Sequence, residues 1–252
     1  MNSSENSAED FNENKNENKR RIALITGANR GLGLELARQL AKSEFITLIG
    51  VRDEQKGLEA QQKLKQEGLT VAVIPLDVTN AQSIEAAAET IAQTYGKLNI
   101  LVNNAGILPD EDSGTSATLV DPKTILRVFE TNTLGPLQVT QAMLKLLKRS
   151  PSATIVNISS GLGALTDMEG GYPAYRISKV SLNAITRMLA AELSETSILV
   201  HSVCPGWVQT DMGGPNAART PQDSVAGILP LLLKPHPELN GRFVQDGKPI
   251  AW

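Results

Sequence analysis

From Arg21 onward the chain alternates short β-branched runs with segments of helical spacing, and this alternation constrains the fold more than any other feature. The runs are Ile22–Thr26, Phe45–Val51, Thr70–Ile74, Ile100–Val102, Thr154–Ile158 and Ile198–Val203. Between the first of them lie Gly31–Ala41, Glu54–Glu67 and Asn80–Tyr95, which are built largely from good helix formers. Strands that are apolar nearly throughout belong in a parallel sheet covered on both faces. Right-handed crossovers make such a sheet doubly wound and put its ligand crevice at the carboxyl ends of the strands. The expectation is one α/β domain over residues 21–252, with about seven parallel strands, the last at Arg242–Val244, and helices on both faces. Residues 1–20 are different: Asn- and Glu-rich, with five acids, three bases and almost no apolar side chain, they read as a disordered tail. They lack the apolar stretch of a secretory signal.

Composition excludes several classes of function. Apolar residues make up 41% of the 252, enough for a substantial core. A net charge of −3 and only 4% aromatics offer neither a basic footprint nor a stacking platform for nucleic acid. No apolar run approaches the roughly 18 residues of a membrane helix, and the run Gly227–Leu233 contains Pro230. The single Cys204 has no intramolecular partner, which points to a reducing, cytoplasmic setting. His201 and His236 have no ligand spacing with acids or with Cys204, so no metal is expected.

The first strand runs into Thr26-Gly27-Ala28-Asn29-Arg30-Gly31-Leu32-Gly33, where a helix is expected to begin near Gly31. Glycines allow a tight turn and close approach of the backbone to a pyrophosphate, and the helix N-terminus supplies unpaired N–H donors. The spacing departs from G-x-G-x-x-G, and no P-loop Lys follows. T-G-x-x-x-G-x-G after a first strand resembles the cofactor motif of the short-chain dehydrogenases/reductases. Further ordered motifs extend the resemblance over residues 21–252: Asn103-Asn104-Ala105-Gly106, a hydroxyl-tipped strand at Ser159-Ser160, and Tyr175-Arg-Ile-Ser-Lys179.

The resemblance implies a Rossmann-type fold and a dinucleotide held by Gly27, Asn29, Arg30, Gly31, Leu32 and Gly33. An adenosine 2′-OH calls for an acid after the second strand, whereas a 2′-phosphate calls for cations. Arg52 and Lys56 follow that strand and Arg30 sits in the turn, so NADP(H) is expected, with Asp53 as the discordant residue. Asp77 and Val78 match the adenine-binding position of the family. Asn104, Ala105 and Gly106 line the cofactor, and Asn103 is expected to touch it most closely. After the sixth strand, Pro205, Gly206, Val208 and Thr210 fit the loop that wraps the nicotinamide.

Tyr175 and Lys179, at i and i+4, share one helix face. Hydride reduction of a carbonyl leaves an alkoxide that needs a proton, and a phenol near pKa 10 is a poor acid–base group at neutral pH. The expectation is that Lys179 and the nicotinamide lower that pKa; about three units would require about 4 kcal/mol. By resemblance Ser160 donates to the substrate oxygen, with Ser159 as the alternative one register step away. Asn132 matches the Asn that holds a water against the active-site Lys, completing the set Asn132, Ser160, Tyr175 and Lys179. Tyr172, with no Lys at its i+4, reads as a wall of the substrate pocket together with Trp207 and Met212.

Within the family the terminal segments most resemble the carbonyl reductases, which implies reduction of aldehydes and ketones with NADPH. One departure stands out: only 14 residues separate Ser160 from Tyr175, so the long insertion some carbonyl reductases carry there is absent. That leaves open the helix face other members use to associate, and a homodimer or homotetramer is expected. Two other functions compete. A binding-only NADP(H) sensor or scaffold would not require the four catalytic-type residues together, and nucleotide-sugar epimerases or dehydratases usually need a larger C-terminal domain.

Overall fold

The computed structural model describes residues 20–166 and 168–252; the tail expected over 1–20 lies, apart from Arg20, outside the described residues. Strands β1 (Ile22–Thr26), β2 (Ile46–Val51), β3 (Val71–Pro75), β4 (Ile100–Asn103), β5 (Ala153–Ile158), β6 (Ile198–Val203), β7 (Phe243–Gln245) and β8 (Lys248–Pro249) form one sheet. Their order is β3-β2-β1-β4-β5-β6-β7-β8. The first seven pair in parallel. The sheet therefore has one strand more than expected. Asp246 and Gly247, both at positive φ, form a two-residue turn that folds β8 back antiparallel on β7. Pro249, which has no N–H to donate, is tolerated there because β8 is the edge.

Helices α1 (Gly31–Lys42), α2 (Glu54–Gln66), α3 (Ala81–Tyr95), α4 (Pro122–Phe129), α5 (Gly135–Lys148), α6 (Pro173–Glu192) and α7 (Pro221–Leu233) cover the sheet. The period-two geometry of a strand sends Ala23 and Ile25 of β1 into one core, with Leu36 and Leu40 of α1 and Ile228 and Leu231 of α7. It sends Ile22 and Leu24 into the other, with Ile91 of α3 and Met143 and Leu147 of α5. Buried on both faces, such strands have no polar side to show, which accounts for their continuous apolar runs. None of the helices among the described residues is long and apolar enough to cross a membrane.

The chain order reverses between β1 and β4, since β2 and β3 lie to one side and β5 to the other. This switch point opens a crevice at the carboxyl ends of the two central strands. It is also where the helix ends differ. Asp53, Asn80, Asp121 and Thr220 each cap their own helix through a side chain. At α1 the N-cap Arg30 makes no such bond, and the first turn holds no acid.

Burial predicts where the sheet is intolerant of change. Leu101→Ala, in central β4 with no exposed surface, should cost about 2–5 kcal/mol in chemical denaturation. Leu119→Ala, at 82% exposure, should stay within about 0.5 kcal/mol; equal effects at the two positions would contradict the assigned core.

Candidate active site

The glycine turn leaves β1 at Gly27, whose φ of 65° is left-handed. A Cβ there would stand 3.0 Å from the Cα of Ala105, and one on Gly33 would stand 2.5 Å from Asn104 Nδ2. Both positions therefore require glycine for close approach, and Gly27 for conformation as well. Thr26 joins the turn to the end of β4: its Oγ1 accepts the N–H groups of Asn104 and Ala105, each at 3.0 Å. Asn104 Nδ2 donates in return to the carbonyls of Thr26 (2.8 Å) and Gly27 (3.2 Å). Asn103, expected to touch a cofactor most closely, is instead buried and donates to Thr140 and Asn157. Strand alternation turns it under the helices and leaves Asn104 facing the crevice.

These residues suit a pyrophosphate, because the first N–H groups of α1 lie without a side-chain cap beside a backbone that has no Cβ in the way. Arg52 and Lys56 are exposed at the end of β2 and the start of α2. Asp53, the discordant acid, is the cap of α2: it accepts the Lys56 N–H at 3.2 Å and lies 3.8 Å from Lys56 Nζ. Asp77 Oδ1 accepts both the N–H (2.9 Å) and Oγ1 (2.7 Å) of Thr79, and neighbouring Val78 is buried. Arg30 pairs with Asp211, two exposed side chains joining the glycine turn to the loop after β6.

That loop is held from several sides. Gly206, at φ 76°, lies against Arg219, which holds Asp246 through two bonds of 2.8 and 3.0 Å. Pro205 accepts from Ser224 at its carbonyl (2.7 Å), Val208 bridges to Arg219, and the methyl of Thr210 sits 3.1 Å from where a Gly31 Cβ would be. Trp207 is 58% exposed, which excludes a core role; Nε1 donates to the Gly213 carbonyl. With Met212, also exposed, it gives the loop an apolar surface.

Tyr175 and Lys179 face inward from α6, 8% and 4% exposed, with the Lys179 Nζ 5.5 Å from the phenol ring centroid. Ser160 accepts the Leu162 N–H and stands near enough to the Tyr175 phenol to oppose the rise in its pKa. Ser159 does not join them; its Oγ is buried without a partner. Of the two serines, Ser160 is thus the one beside the phenol. Lys179 Nζ donates to the Ile158 carbonyl at 2.8 Å, and a Cβ on Gly163 would stand 2.6 Å from Lys179 Cβ. Gly106 lies against both Asn132 Oδ1 and Lys179 Nζ, which joins the Asn103–Gly106 turn to this group.

The lowering of the Tyr175 pKa expected from Lys179 and the nicotinamide together does not come from Lys179 alone. Burial pushes the Tyr175 phenol up to about 12, with Ser160 opposing and Cys204 adding to the rise. Burial also brings Lys179 down to about 8. Desolvation outweighs any help the ammonium gives the phenolate, so this chain's own groups keep the phenol neutral.

Asn132 sits in a π-helical turn, Glu130–Leu134, between α4 and α5. Its Oδ1 accepts the Ile107 N–H (2.8 Å) and its Nδ2 donates to the Ile107 carbonyl (2.9 Å) and Ser178 Oγ (3.1 Å). The amide group is thus committed to the protein, and it ties the β4 loop to α6. Tyr172 stands at the N-cap of α6 with a left-handed φ of 52°. Sequence reasoning missed Asp112, fully buried, whose carboxylate accepts the N–H groups of Ala174 and Tyr175. No local pattern could have revealed it, because the first of these partners lies 62 residues away.

This arrangement can be compared with known proteins. NADPH carbonyl reductase 1 of Mus musculus is 33% identical over 280 aligned residues, covering 92% of this chain and 99% of that protein. Its counterpart in Oryctolagus cuniculus is 34% identical over the same shares. The aligned length exceeds the 252 residues of this chain, so these relatives carry segments that it lacks. Among solved structures, an NADPH-bound carbonyl reductase from chicken fatty liver superposes with a TM-score of 0.84 at 34% identity, covering 92% of this chain and all of that one. The carbonyl reductase Sniffer of D. melanogaster gives 0.83 at 34% identity, covering 92% and 99%. The family model for short chain dehydrogenases matches residues 21–220, and the chain belongs to that family.

Proposed function

We propose that this protein reduces aldehyde and ketone carbonyls to alcohols with NADPH, and that Tyr175 supplies the proton. The observation that carries the reading is a buried phenol with Ser160 and a buried Lys179 beside it, at a crevice whose other wall is an uncapped, glycine-lined helix start. The carbonyl reductases that this chain resembles, one of them NADPH-bound, support the choice of cofactor and substrate class. When bound, NADPH supplies the hydride.

The chain's own residues would do the rest. Gly27, Asn29, Gly31, Leu32 and Gly33 would receive the pyrophosphate, Arg30, Arg52 and Lys56 the 2′-phosphate, and Asp77 and Val78 the adenine. Asn104, Ala105, Gly106, Pro205, Gly206, Val208 and Thr210 would line the remainder, and Trp207, Met212 and Tyr172 would pack against the substrate. Ser160 and Tyr175 would both bond the carbonyl oxygen and favour the charge that develops there. Burial keeps the phenol protonated in the cofactor-free chain, so it holds the proton to be given; a value near 12 makes it a weaker acid than an ordinary phenol, and the bound nicotinamide would have to bring that value down. An alkoxide is more basic than a phenolate, so proton transfer from Tyr175 runs downhill. Lys179 would hold the ribose beside Tyr175, and Asn132 would fix the loop that faces both.

We assign the protein to the cytoplasm on its lone, buried cysteine. We favour a homodimer or homotetramer because the insertion before Tyr175 is absent and Leu126 of α4 and Ile177 and Met188 of α6 are exposed. A binding-only sensor is less well supported, since cofactor binding alone gives no reason for Asn132, Ser160, Tyr175 and Lys179 to occur together.

Two measurements test the reading. Tyr175→Phe should keep its NADPH affinity within about threefold and lose about 10²–10⁴-fold in kcat towards a ketone panel; retention of full turnover would refute the assignment. Lys179 tests the electrostatics through stability. Its folded pKa of about 8 lies below the unfolded 10.5, so the unfolded chain binds more protons between those values and stability rises with pH there. Without cofactor, the wild type should gain about 2 kcal/mol relative to Lys179→Met between pH 7 and pH 10 in denaturant titrations. A pH-independent difference would show that Lys179 is not desolvated.

A further inference from the structure

The helix that carries Tyr175 and Lys179 begins in a way its own sequence cannot satisfy. Its N-cap is Tyr172, whose side chain makes no capping bond, and Pro173 occupies the first helical position. The next donors are the N–H groups of Ala174 and Tyr175, on buried residues of the first turn, where an unbonded N–H would be costly. Asp112 meets both. Its Oδ1 accepts from Ala174 at 3.0 Å and its Oδ2 from Tyr175 at 2.9 Å, with no exposed surface on the residue. A carboxylate is also the right charge for the positive end of a helix.

The origin of Asp112 gives the contact its consequence. It ends the 3₁₀ turn Asp110–Asp112, on the segment that leaves β4 through Asn103–Gly106. That segment is fixed at its start, where Asn104 and Ala105 bond Thr26 and the glycine turn. It is fixed again at Ile107, held by Asn132 through two bonds. Its third fixed point is Asp112 on the backbone of Tyr175. The proton donor is therefore tethered to the turn that faces the crevice by one short stretch of chain. Its Cα position is set by a side chain that bonds the backbone and not the phenol.

We infer that Asp112 is a positioning residue for Tyr175, holding the phenol in register with the glycine turn by gripping the two backbone N–H groups at the start of α6. This rests on the reading of Tyr175 as proton donor. A displacement near 1 Å is enough to cost about 10²-fold in rate, so a lost grip should appear in kcat. Binding of NADPH, most of whose proposed contacts lie on the glycine turn, the start of α2 and the loop after β6, should survive.

The test uses full-length Asp112→Ala and Asp112→Asn beside the wild type. It measures kcat with a ketone panel, NADPH affinity and stoichiometry by fluorescence titration, and amide hydrogen exchange at Ala174 and Tyr175. Asn keeps one acceptor oxygen and should lose about 10-fold in kcat, whereas Ala should lose about 100-fold. Both should bind one NADPH per chain with affinity within about threefold of wild type, and exchange at the two amides should quicken in the same order. A merely structural role would lower stoichiometry in step with kcat, and that result would overturn the inference. So would kcat within about twofold of wild type in a folded Ala variant; if Ala does not fold, Asn decides by the same criteria. Absence of turnover in the wild type would sink the reading of Tyr175 itself, a separate failure that the amide exchange distinguishes from loss of the cap.

Discussion

Desolvation of two ionisable groups at one end of a parallel sheet is the constraint around which this structure is arranged. Tyr175 and Lys179 are both removed from water, and burial drives each towards its neutral form, the phenol up to about 12 and the amine down to about 8. In water such groups would titrate at their ordinary values. Here the surrounding protein must compensate with Ser160 on the phenol and the Ile158 carbonyl on the amine. A phenol held neutral keeps the proton that the proposed reduction consumes.

Holding that pair in place requires the backbone around it to be unusually well tied. The β4 loop bonds the glycine turn at Thr26, the π-helical turn at Asn132, and the first turn of α6 at Asp112. Ser178 extends the ties, accepting from Asn132 and donating to the Tyr175 carbonyl. A π-helical turn costs regular hydrogen bonding, and such turns gather at functional sites. Here it sets Asn132 where its amide can reach both Ile107 and Ser178. The apolar sheet beneath supplies the rigid floor; the polar ties convert that rigidity into a fixed position for one hydroxyl.

Much of this was legible in the chain because the signals were local. Continuous β-branched runs gave six strands to within a residue or two, and the Gly27–Gly33 turn reached its place at the start of α1. The spacing of Tyr175 and Lys179 put both on the inward face of α6. What escaped was long-range or many-bodied. Asp112 caps a helix far along the chain, so nothing near it in sequence betrays its role. Asn103 and Asn104 differ only in which way the strand end turns them. The direction of the Tyr175 shift depends on how deeply the phenol is buried, and spacing carries no information on depth. Asp53 stands three residues before the N–H it receives, the ordinary spacing of a helix cap, which gives the acid between Arg52 and Lys56 a role at the start of α2.

The central claim is that burial keeps Tyr175 protonated throughout the neutral range. It is tested most directly by titrating the near-ultraviolet phenolate absorbance of the cofactor-free protein and subtracting the same titration of the Tyr175→Phe variant, which leaves the signal of this one phenol. The account predicts no ionisation of Tyr175 below about pH 11, with loss of the proton only near pH 12 or on unfolding. A phenolate that appears between about pH 7 and 8 in the folded, cofactor-free chain would contradict it.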